Sequence, residues 1–257
     1  MNSKSLQTAL QDLPLGGFRY YEQVGSTNDI ALNWIEEGGQ DFSLVVANEQ
    51  ISGRGRSGRS WHTPPDSALA LSLLLIPNIA ETKNISLFTG LCALALVDAL
   101  KELYTLKAEI KWPNDILIEE KKVAGILVEA SWEGDKAKGI VLGMGVNILN
   151  TAIPDDGNLH FPATSLEESL GQKVDRTKTL HGILTALIKR RKALGKAEMV
   201  AAWNENLAFR GKQVEIKGGA EQVIQGELLG VNQDGSLRLD TAQSIHFGDV
   251  HLRPMRL

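Results

Sequence analysis

The length and composition of this chain indicate an ordinary globular protein. It has 257 residues, of which 43% are hydrophobic and 23% charged, so it can bury a large core and fits neither a disordered nor a membrane class. Its formal net charge of -4 argues against a dedicated nucleic-acid-binding protein, whose footprint is normally a basic surplus.

Targeting and cysteine signals favour a cytoplasmic location. The longest strongly apolar run, residues 68–76, is far shorter than the roughly 20 residues that a spanning helix needs. The N-terminus has no apolar core of the kind found in a secretory signal. Cys92 is the only cysteine, so no intramolecular disulfide can form. We therefore expect a cytoplasmic protein that does not contact a membrane.

In chain order, the pattern predicts an α+β fold. Residues 1–17 are a short polar lead, and residues 18–24 alternate as a strand does. The run Gly-Ser-Thr-Asn-Asp at 25–29 has strong N-cap chemistry, and the following helix ends at the glycines 38–39. Further strands are predicted at 43–48, 67–75, 107–112, 115–119, 123–131 and 139–148, and helices at 84–104, 166–170, 177–193 and 197–207.

The chain divides into two parts with different sequence patterns. Four β segments follow one another between residues 107 and 148, which predicts a mixed or antiparallel sheet backed by helices. From residue 211 onward, short β segments alternate with glycine and asparagine turns, a pattern that suits a small barrel. We expect a lead at 1–17, a main domain at 18–210 and a C-terminal domain at 211–257. The sheet edge leaves a monomer and a homodimer both open.

A loop rich in arginine and glycine, the arginine loop, occupies residues 53–61 and ends at Trp61. Its glycines let the backbone approach a ligand, its three arginines offer forked donors suited to phosphate or carboxylate, and the indole offers a face for a base. A solvated basic loop is the alternative on these residues alone. The spacing also matches a Walker A loop, but prolines and another β-like run follow where that motif requires a helix.

A second group of polar residues forms the run Lys-Trp-Pro-Asn-Asp at 111–115. As structure, Trp112 belongs to the core and the next residues build a turn. As chemistry, Lys111 and Asp115 project near a bound phosphate, and Asp115 is able to hold a hydrated Mg²⁺. This run alone leaves both interpretations open.

Two glycine-containing strands complete the set of motifs. Lys122 stands at the head of a buried strand in which Gly125 permits close approach of another backbone. The run Gly-Met-Gly-Val-Asn at 143–147 is weak evidence for a site by itself, and a kink in a plain strand is the favoured interpretation.

In this order, the runs at 25–28, 49–61, 111–115, 122–129 and 143–148 closely resemble those of the biotin protein ligases, which biotinylate the carrier domains of carboxylases. The resemblance extends from about Tyr20 to the C-terminus. The arginine loop and the Lys-Trp-Pro-Asn-Asp run are highly specific to that family. The resemblance implies a class II synthetase-like catalytic domain whose sheet carries the biotin pocket, followed by a small SH3-like barrel.

The resemblance also implies a reaction and its residues. ATP and Mg²⁺ convert biotin into biotinyl-5'-AMP, and biotin then passes to a lysine of the biotin carboxyl carrier protein domain of acetyl-CoA carboxylase. Biotin binding is expected from Ser26, Thr27, Asn28, Gln50, Gly53, Arg54, Gly55, Arg56, Lys122 and Gly125. Nucleotide binding is expected from Arg56, Arg59, Trp61, Lys111 and Asn147. The expected catalytic residues are Lys122, Arg56, Lys111 and Asp115, with Asp115 also the Mg²⁺ ligand.

Three other functions fit the sequence less well than this one. Some relatives are repressors with an N-terminal helix-turn-helix domain, but about 17 residues precede the catalytic domain here, so we expect no operator binding and no nucleic-acid partner. A lipoate or octanoate ligase or transferase of the same superfamily lacks the joined arginine loop and Lys-Trp-Pro-Asn-Asp run. A non-catalytic biotin-binding or nucleic-acid-binding regulator is disfavoured by Lys111, Asp115 and Lys122 together.

Overall fold

The main sheet has seven strands within the part of the chain that the structure describes. This computed structural model describes residues 1–155, 159, 161–217, 223–241, 244–246 and 251–254. The strand order is β1-β2-β3-β7-β6-β5-β4, and β1 pairs with β2 in parallel while the other pairs are antiparallel. The strands are β1 (Gly17–Val24), β2 (Ser43–Gln50), β3 (Ala68–Leu75), β4 (Glu109–Lys111), β5 (Asp115–Ile118), β6 (Lys121–Glu133) and β7 (Lys136–Asn147). The predicted mixed sheet, with its antiparallel run between 107 and 148, is confirmed.

Helices cover both faces of this sheet. Side chains alternate along a strand, so neighbouring apolar residues serve two different cores. Leu73 and Leu142 belong to the large core that also contains the buried apolar residues of the helix Phe88–Tyr104, whereas Leu74 and Val141 pack on the opposite face with Ile35 of the helix Thr27–Glu36. The helices are α1 (Ser3–Ala9), α2 (Thr27–Glu36), α3 (Ile79–Thr82), α4 (Phe88–Tyr104), α5 (Leu166–Leu170), α6 (Arg176–Arg191) and α7 (Ala197–Glu205).

A second, antiparallel sheet lies in the C-terminal part. Among the described residues it has five strands in the order β11-β10-β9-β8-β12. They are β8 (Gln213–Lys217), β9 (Val223–Val231), β10 (Leu237–Leu239), β11 (Ser244–Ile245) and β12 (His251–Pro254). This small separate sheet fits the predicted SH3-like domain. Its residues Val214 and Leu228 share one apolar core with Trp112 of the main sheet region. The boundary at 210/211 stays a prediction.

Several local details differ from the sequence analysis. Helix α3 was not predicted, and the helix predicted at 84–104 begins at Phe88. The lead at 1–17 contains α1, which the pattern did not predict because Leu6 is its only buried residue; a capping box from Asn2 begins the helix. Ser26 is the N-cap residue of α2, as expected, but its side chain makes no capping hydrogen bond. The Thr27 N–H at the first turn instead donates to Gln50 Oε1 at 2.9 Å. No helix among the described residues has the length and apolar character needed to cross a bilayer.

Candidate active site

A cavity opens on the α2 side of the main sheet, next to the N-terminus of α2. Its empty space is about 670 Å³, counting the open mouth. Four parts of the fold enclose it: the start of α2, the arginine loop, the turn between β4 and β5, and the strands β2, β3, β6 and β7. The lining consists of residues 26–28, Gln50, residues 54–56, residues 59–61, Leu71, Asn114, Asp115, Lys122, residues 125–127 and residues 143–145.

Glycines on two neighbouring strands leave part of the cavity floor without side chains. Gly145 of β7 pairs with Gly125 of β6. A Cβ atom on Gly145 would lie 2.3 Å from the Trp61 indole, and one on Gly143 would lie 2.1 Å from Asn28 Oδ1, so only glycine admits these side chains. The ladder between β6 and β7 is regular at this point. The strand kink predicted for 143–145 is therefore wrong, and close approach is the reason for the two glycines.

The end of the cavity beside α2, here called the polar end, carries uncharged hydrogen-bonding groups. Gln50 Oε1 accepts from the backbone N–H of Thr27 at 2.9 Å and from its hydroxyl at 3.1 Å. Gln50 Nε2 donates to Thr63 Oγ1 at 3.1 Å. Ser72 Oγ lies 2.7 Å from Thr27 Oγ1 and 2.6 Å from Asn28 Oδ1. Thr27, Asn28 and Ser72 are buried, so fixed donors and acceptors stand where water is scarce.

The other end, here called the charged end, consists of two lysines around one carboxylate. Asp115 Oδ1 accepts from Lys122 Nζ at 2.6 Å, and Asp115 Oδ2 lies 3.4 Å from Lys111 Nζ. Burial opposes ionisation of this carboxyl, but the two ammonium groups outweigh it and hold the pKa of Asp115 below its ordinary value. Two ammonium groups thus meet at this one carboxylate. Lys122 Nζ also lies 5.2 Å from the centre of the Trp61 ring.

The arginine loop folds back on itself. The Gly55 N–H donates to Arg59 O at 2.7 Å, and the Trp61 N–H donates to Gly53 O at 2.7 Å. A Cβ atom on Gly53 would lie 2.4 Å from Trp61 O, so this crossing of the backbone requires glycine. Ser57 at the tip has a positive φ of 57°. The backbone on either side of the tip therefore runs side by side. This places Trp61 over Gly125 and Gly145, here called the glycine floor.

Two arginines tie the loop to its surroundings. Arg54 donates from Nη1 and Nη2 to the Glu129 carboxylate at 2.9 and 2.8 Å, and from Nη2 to Asp29 at 2.6 Å. Arg56 Nη1 donates to Asn114 Oδ1 at 3.3 Å, and the Asn114 amide donates in turn to Ile126 O. Asn114, predicted only as a turn residue, therefore connects the loop to β6.

Residues 161–164, which precede α5, contact and support the charged end. The Lys122 N–H donates to Pro162 O at 2.7 Å, and the Thr164 N–H donates to Lys122 O at 2.9 Å. Asn147 is buried, and its Nδ2 donates to Thr164 O at 3.1 Å. The Lys111 ammonium lies 4.6 Å from the centre of the Phe161 ring. Lys122 is thus fixed through its backbone as well as through Asp115.

The predicted site residues lie around this cavity, and all of them line it except Gly53, Lys111 and Asn147. Gly53 contacts Trp61, Lys111 contacts Asp115, and Asn147 contacts the segment that pairs with Lys122. The sequence analysis missed Thr63, Ser72, Asn114, Glu129, Gly143 and Gly145. A single polar residue in the otherwise apolar β3 was the available signal for Ser72. Thr63 and Glu129 carried no local signal.

The residues at the charged end set a limit on how a metal ion fits. In the described part of the chain, no three His, Cys, Asp or Glu side chains converge to hold one. Both oxygens of Asp115 contact lysines. One carboxylate in this setting fits a Mg²⁺ carried mainly by the phosphates of a nucleotide, the usual mode for that ion. A direct bond from Asp115 to Mg²⁺ stays a prediction.

Known proteins share both the sequence pattern and the fold of this chain. The family model described as "Biotin/lipoate A/B protein ligase family" matches residues 20–147. The bifunctional ligase/repressor BirA of Bacillus subtilis is 32% identical over 229 residues, covering 88% of this chain and 70% of that protein. The biotin--[acetyl-CoA-carboxylase] ligase of Paracoccus denitrificans is 33% identical over 225 residues, covering 84% of this chain and 91% of that protein.

A solved structure agrees with these sequence matches. The biotin protein ligase from Aquifex aeolicus in complex with biotin and ATP has a TM-score of 0.80 at 28% identity. The alignment covers 93% of this chain and 99% of that chain. The likeness therefore extends over both sheets.

Proposed function

This chain belongs to the biotin/lipoate A/B protein ligase family, among the biotin protein ligases, and we propose that it joins biotin to a lysine of the biotin carboxyl carrier protein domain of acetyl-CoA carboxylase. The observation that carries the proposal is one cavity with two unlike ends, an uncharged hydrogen-bonding network and two lysine ammonium groups that contact one carboxylate. The similar Aquifex protein was solved with biotin and ATP, and the similar Paracoccus protein is named for acetyl-CoA carboxylase.

The proposed reaction has two steps. An oxygen of the biotin carboxylate attacks the α-phosphorus of ATP, a C–O–P bond forms, and the bond to the bridging oxygen breaks to release pyrophosphate. The amine of the carrier lysine then attacks the carbonyl carbon of biotinyl-5'-AMP, loses a proton and expels AMP. Neither step requires a covalent bond to the protein.

The polar end is suited to the ureido ring of biotin. That ring has N–H donors and a carbonyl acceptor, so its burial requires partners of both kinds. We assign this contact to Ser26, Thr27 and Gln50 together with the backbone near Arg54, which all line the cavity. Asn28 supports them through Ser72 and Glu129. The apolar side chains of the lining are suited to the hydrocarbon part.

The charged end is suited to bringing two anions together. A carboxylate and an α-phosphate repel each other, so alignment and charge neutralisation are the protein's main tasks. We assign Lys122 to the biotin carboxylate and the α-phosphate, with Lys111 and Arg56 beside it. Arg59, Trp61 and Asn147 are assigned to the nucleotide. Mg²⁺ enters this scheme with the phosphates of ATP, near Asp115, and supplies further neutralisation.

The arginine loop is assigned a protective role. Biotinyl-5'-AMP is a mixed anhydride that water hydrolyses, so the loop must exclude water until the carrier lysine arrives. Its folded-back form across the glycine floor is compatible with such a lid.

The experiment that tests the proposal is turnover of the purified protein with MgATP and biotin, octanoate or lipoate. We expect release of pyrophosphate with biotin, followed by biotinylation of a carrier domain detected by mass spectrometry. Turnover with lipoate or octanoate in place of biotin would assign the chain to the lipoate branch of the family. Absence of pyrophosphate release with all three acids would contradict ligation altogether.

The expectation that this chain does not bind DNA stays a prediction. It is tested by titrating random duplex DNA at low salt. Tight, salt-sensitive binding together with no turnover would support the regulator instead.

A further inference from the structure

Glu129 is a charged residue beside the cavity that has no direct part in the proposed reaction. It lies on β6, opposite Val141 and on the face that carries α2. Its carboxylate accepts from Arg54 Nη1 at 2.9 Å, from Arg54 Nη2 at 2.8 Å and from Asn28 Nδ2 at 2.7 Å. Glu129 therefore joins the first arginine of the arginine loop to a buried residue of the polar end.

Hydrogen bonds continue from Asn28 through the polar end to the far side of the loop. Asn28 Oδ1 contacts Ser72 Oγ, Ser72 Oγ contacts Thr27 Oγ1, and Thr27 contacts Gln50. Gln50 Nε2 then donates to Thr63, which follows the loop in the chain. One continuous series of contacts thus links both ends of the arginine loop, and three of its members, Asn28, Thr27 and Gln50, line the cavity.

The Arg54 guanidinium is held between two elements. Besides Glu129 of β6, it contacts Asp29 of α2 at 2.6 Å. The Arg54 and Glu129 side chains are 38% and 25% exposed, so the pair is partly shielded from solvent. A two-point arginine–carboxylate contact fixes orientation as well as distance, and it fixes the start of the loop against the wall of the cavity.

We propose that Glu129 is a positioning residue that clamps the arginine loop closed and makes closure respond to occupancy of the polar end. A ligand that forms hydrogen bonds to Thr27 and Gln50 orders the hydrogen-bond network of the polar end. Glu129, which holds Arg54, belongs to the same series of contacts. The identity of that ligand as biotin rests on the proposed function. The clamp itself belongs to the ligand-free protein and is measurable without turnover.

Limited trypsin digestion of the full chain tests the clamp. Arg56 and Arg59 are cleavage sites inside the loop, so the rate of cutting there reports how often the loop opens. Glu129→Gln keeps the size of the side chain and an acceptor for Asn28 but removes the charge that faces Arg54. We expect cleavage in the ligand-free loop to become about three- to tenfold faster, the range for loss of a partly exposed ion pair, and biotin to protect the loop less than in the wild type.

Two further variants make the test specific. Asp29→Asn removes the charge of the second partner of Arg54. Because the Asp29 carboxylate is half exposed, we expect loop cleavage to become only about twofold faster. Glu37→Gln is the matched control, because Glu37 pairs with Arg19 at 2.8 Å and neither residue lines the cavity. It should leave loop cleavage unchanged.

The outcomes separate the clamp from the proposed function. Wild-type rates of loop cleavage in both Glu129→Gln and Asp29→Asn would overturn the clamp, whatever the enzyme does with biotin. Equal acceleration in Glu37→Gln would overturn it as well, since the effect would then be general loosening. Faster cleavage confined to the clamp variants supports it even if turnover with biotin fails.

Discussion

The polar end and the charged end hold their side chains by different means. Thr27, Asn28, Ser72 and Gln50 carry no charge and bond to one another through short, mutual hydrogen bonds. The lysines of the charged end are held by ion pairs with the carboxylate of Asp115. A neutral network offers precise donors and acceptors, whereas ammonium groups attract an anion without demanding a shape. The difference favours recognition at one end and phosphoryl chemistry at the other.

Removal of the central lysine should break the charged end and give the largest effect. In Lys122→Ala we expect the rate of pyrophosphate release to fall by about 10² to 10³, the usual loss for one preorganised charge-stabilising donor. The KM for biotin should change much less, because the polar end is intact. Lys121→Ala is the matched control, since that lysine is exposed and its Nζ lies 3.8 Å from Glu168. A comparable loss in the control would assign the effect to disturbance of β6.

Loss of one hydroxyl at the polar end should raise the KM for biotin and leave the rate of the reaction little changed. Thr27→Val keeps the shape of the side chain but removes a partner from both Gln50 and Ser72. An unpaired buried polar group costs about 1–3 kcal/mol, so we expect the KM for biotin to rise about tenfold or more while kcat changes little. Thr179→Val removes an equally buried hydroxyl that contacts Tyr104 and does not line the cavity. A raised KM in that control would show that the effect reflects stability.

The two ends also differ in how far the sequence predicted them. The charged end comes from two runs close in the chain, so Lys111, Asp115 and Lys122 were identified by local pattern and resemblance. The polar end includes Ser72 of β3, and Glu129 of β6 contacts it through Asn28; only the pairing of β3, β7 and β6 brings these side chains together. The partners in β3 and β7 are 65 to 79 residues apart in the chain, and period-2 alternation carries no information about such partners.

The glycines at 143 and 145 show the same limit on a smaller scale. A glycine within a strand indicates either an irregularity or a close approach, and the sequence alone does not distinguish them. The choice depends on where Asn28 and Trp61 lie, and both are distant in the chain. The secondary structure was predictable for most elements because their apolar patterns and turn residues are strong. The short helix α1, with one buried residue, lacked such a pattern.

The charged end differs from the polar end in a further respect, because it is attached to the second sheet. Trp112, which lies between Lys111 and the turn, is fully buried, and its Nε1 donates to Gly235 O at 3.0 Å. Gly235 lies in the turn between β9 and β10, and Asp234 O of that turn accepts from Ser86 Oγ, also at 3.0 Å. The turn between β4 and β5, which carries the charged end, therefore has contacts to both sheets.

Substitution of this tryptophan should have the smallest effect and sharpen the comparison most. Trp112→Phe keeps an aromatic ring and removes a hydrogen bond with a net value of about 1 kcal/mol. We expect pyrophosphate release to slow about three- to tenfold with the KM for biotin unchanged, because Lys111 and Asp115 lose support while Thr27 and Gln50 do not. Trp203→Phe is the matched control, since that indole is equally buried and its Nε1 has no hydrogen-bond partner among the described residues. Equal slowing in both variants would deny the second sheet a part in the charged end, and a raised KM in Trp112→Phe would show that the two ends are not independent.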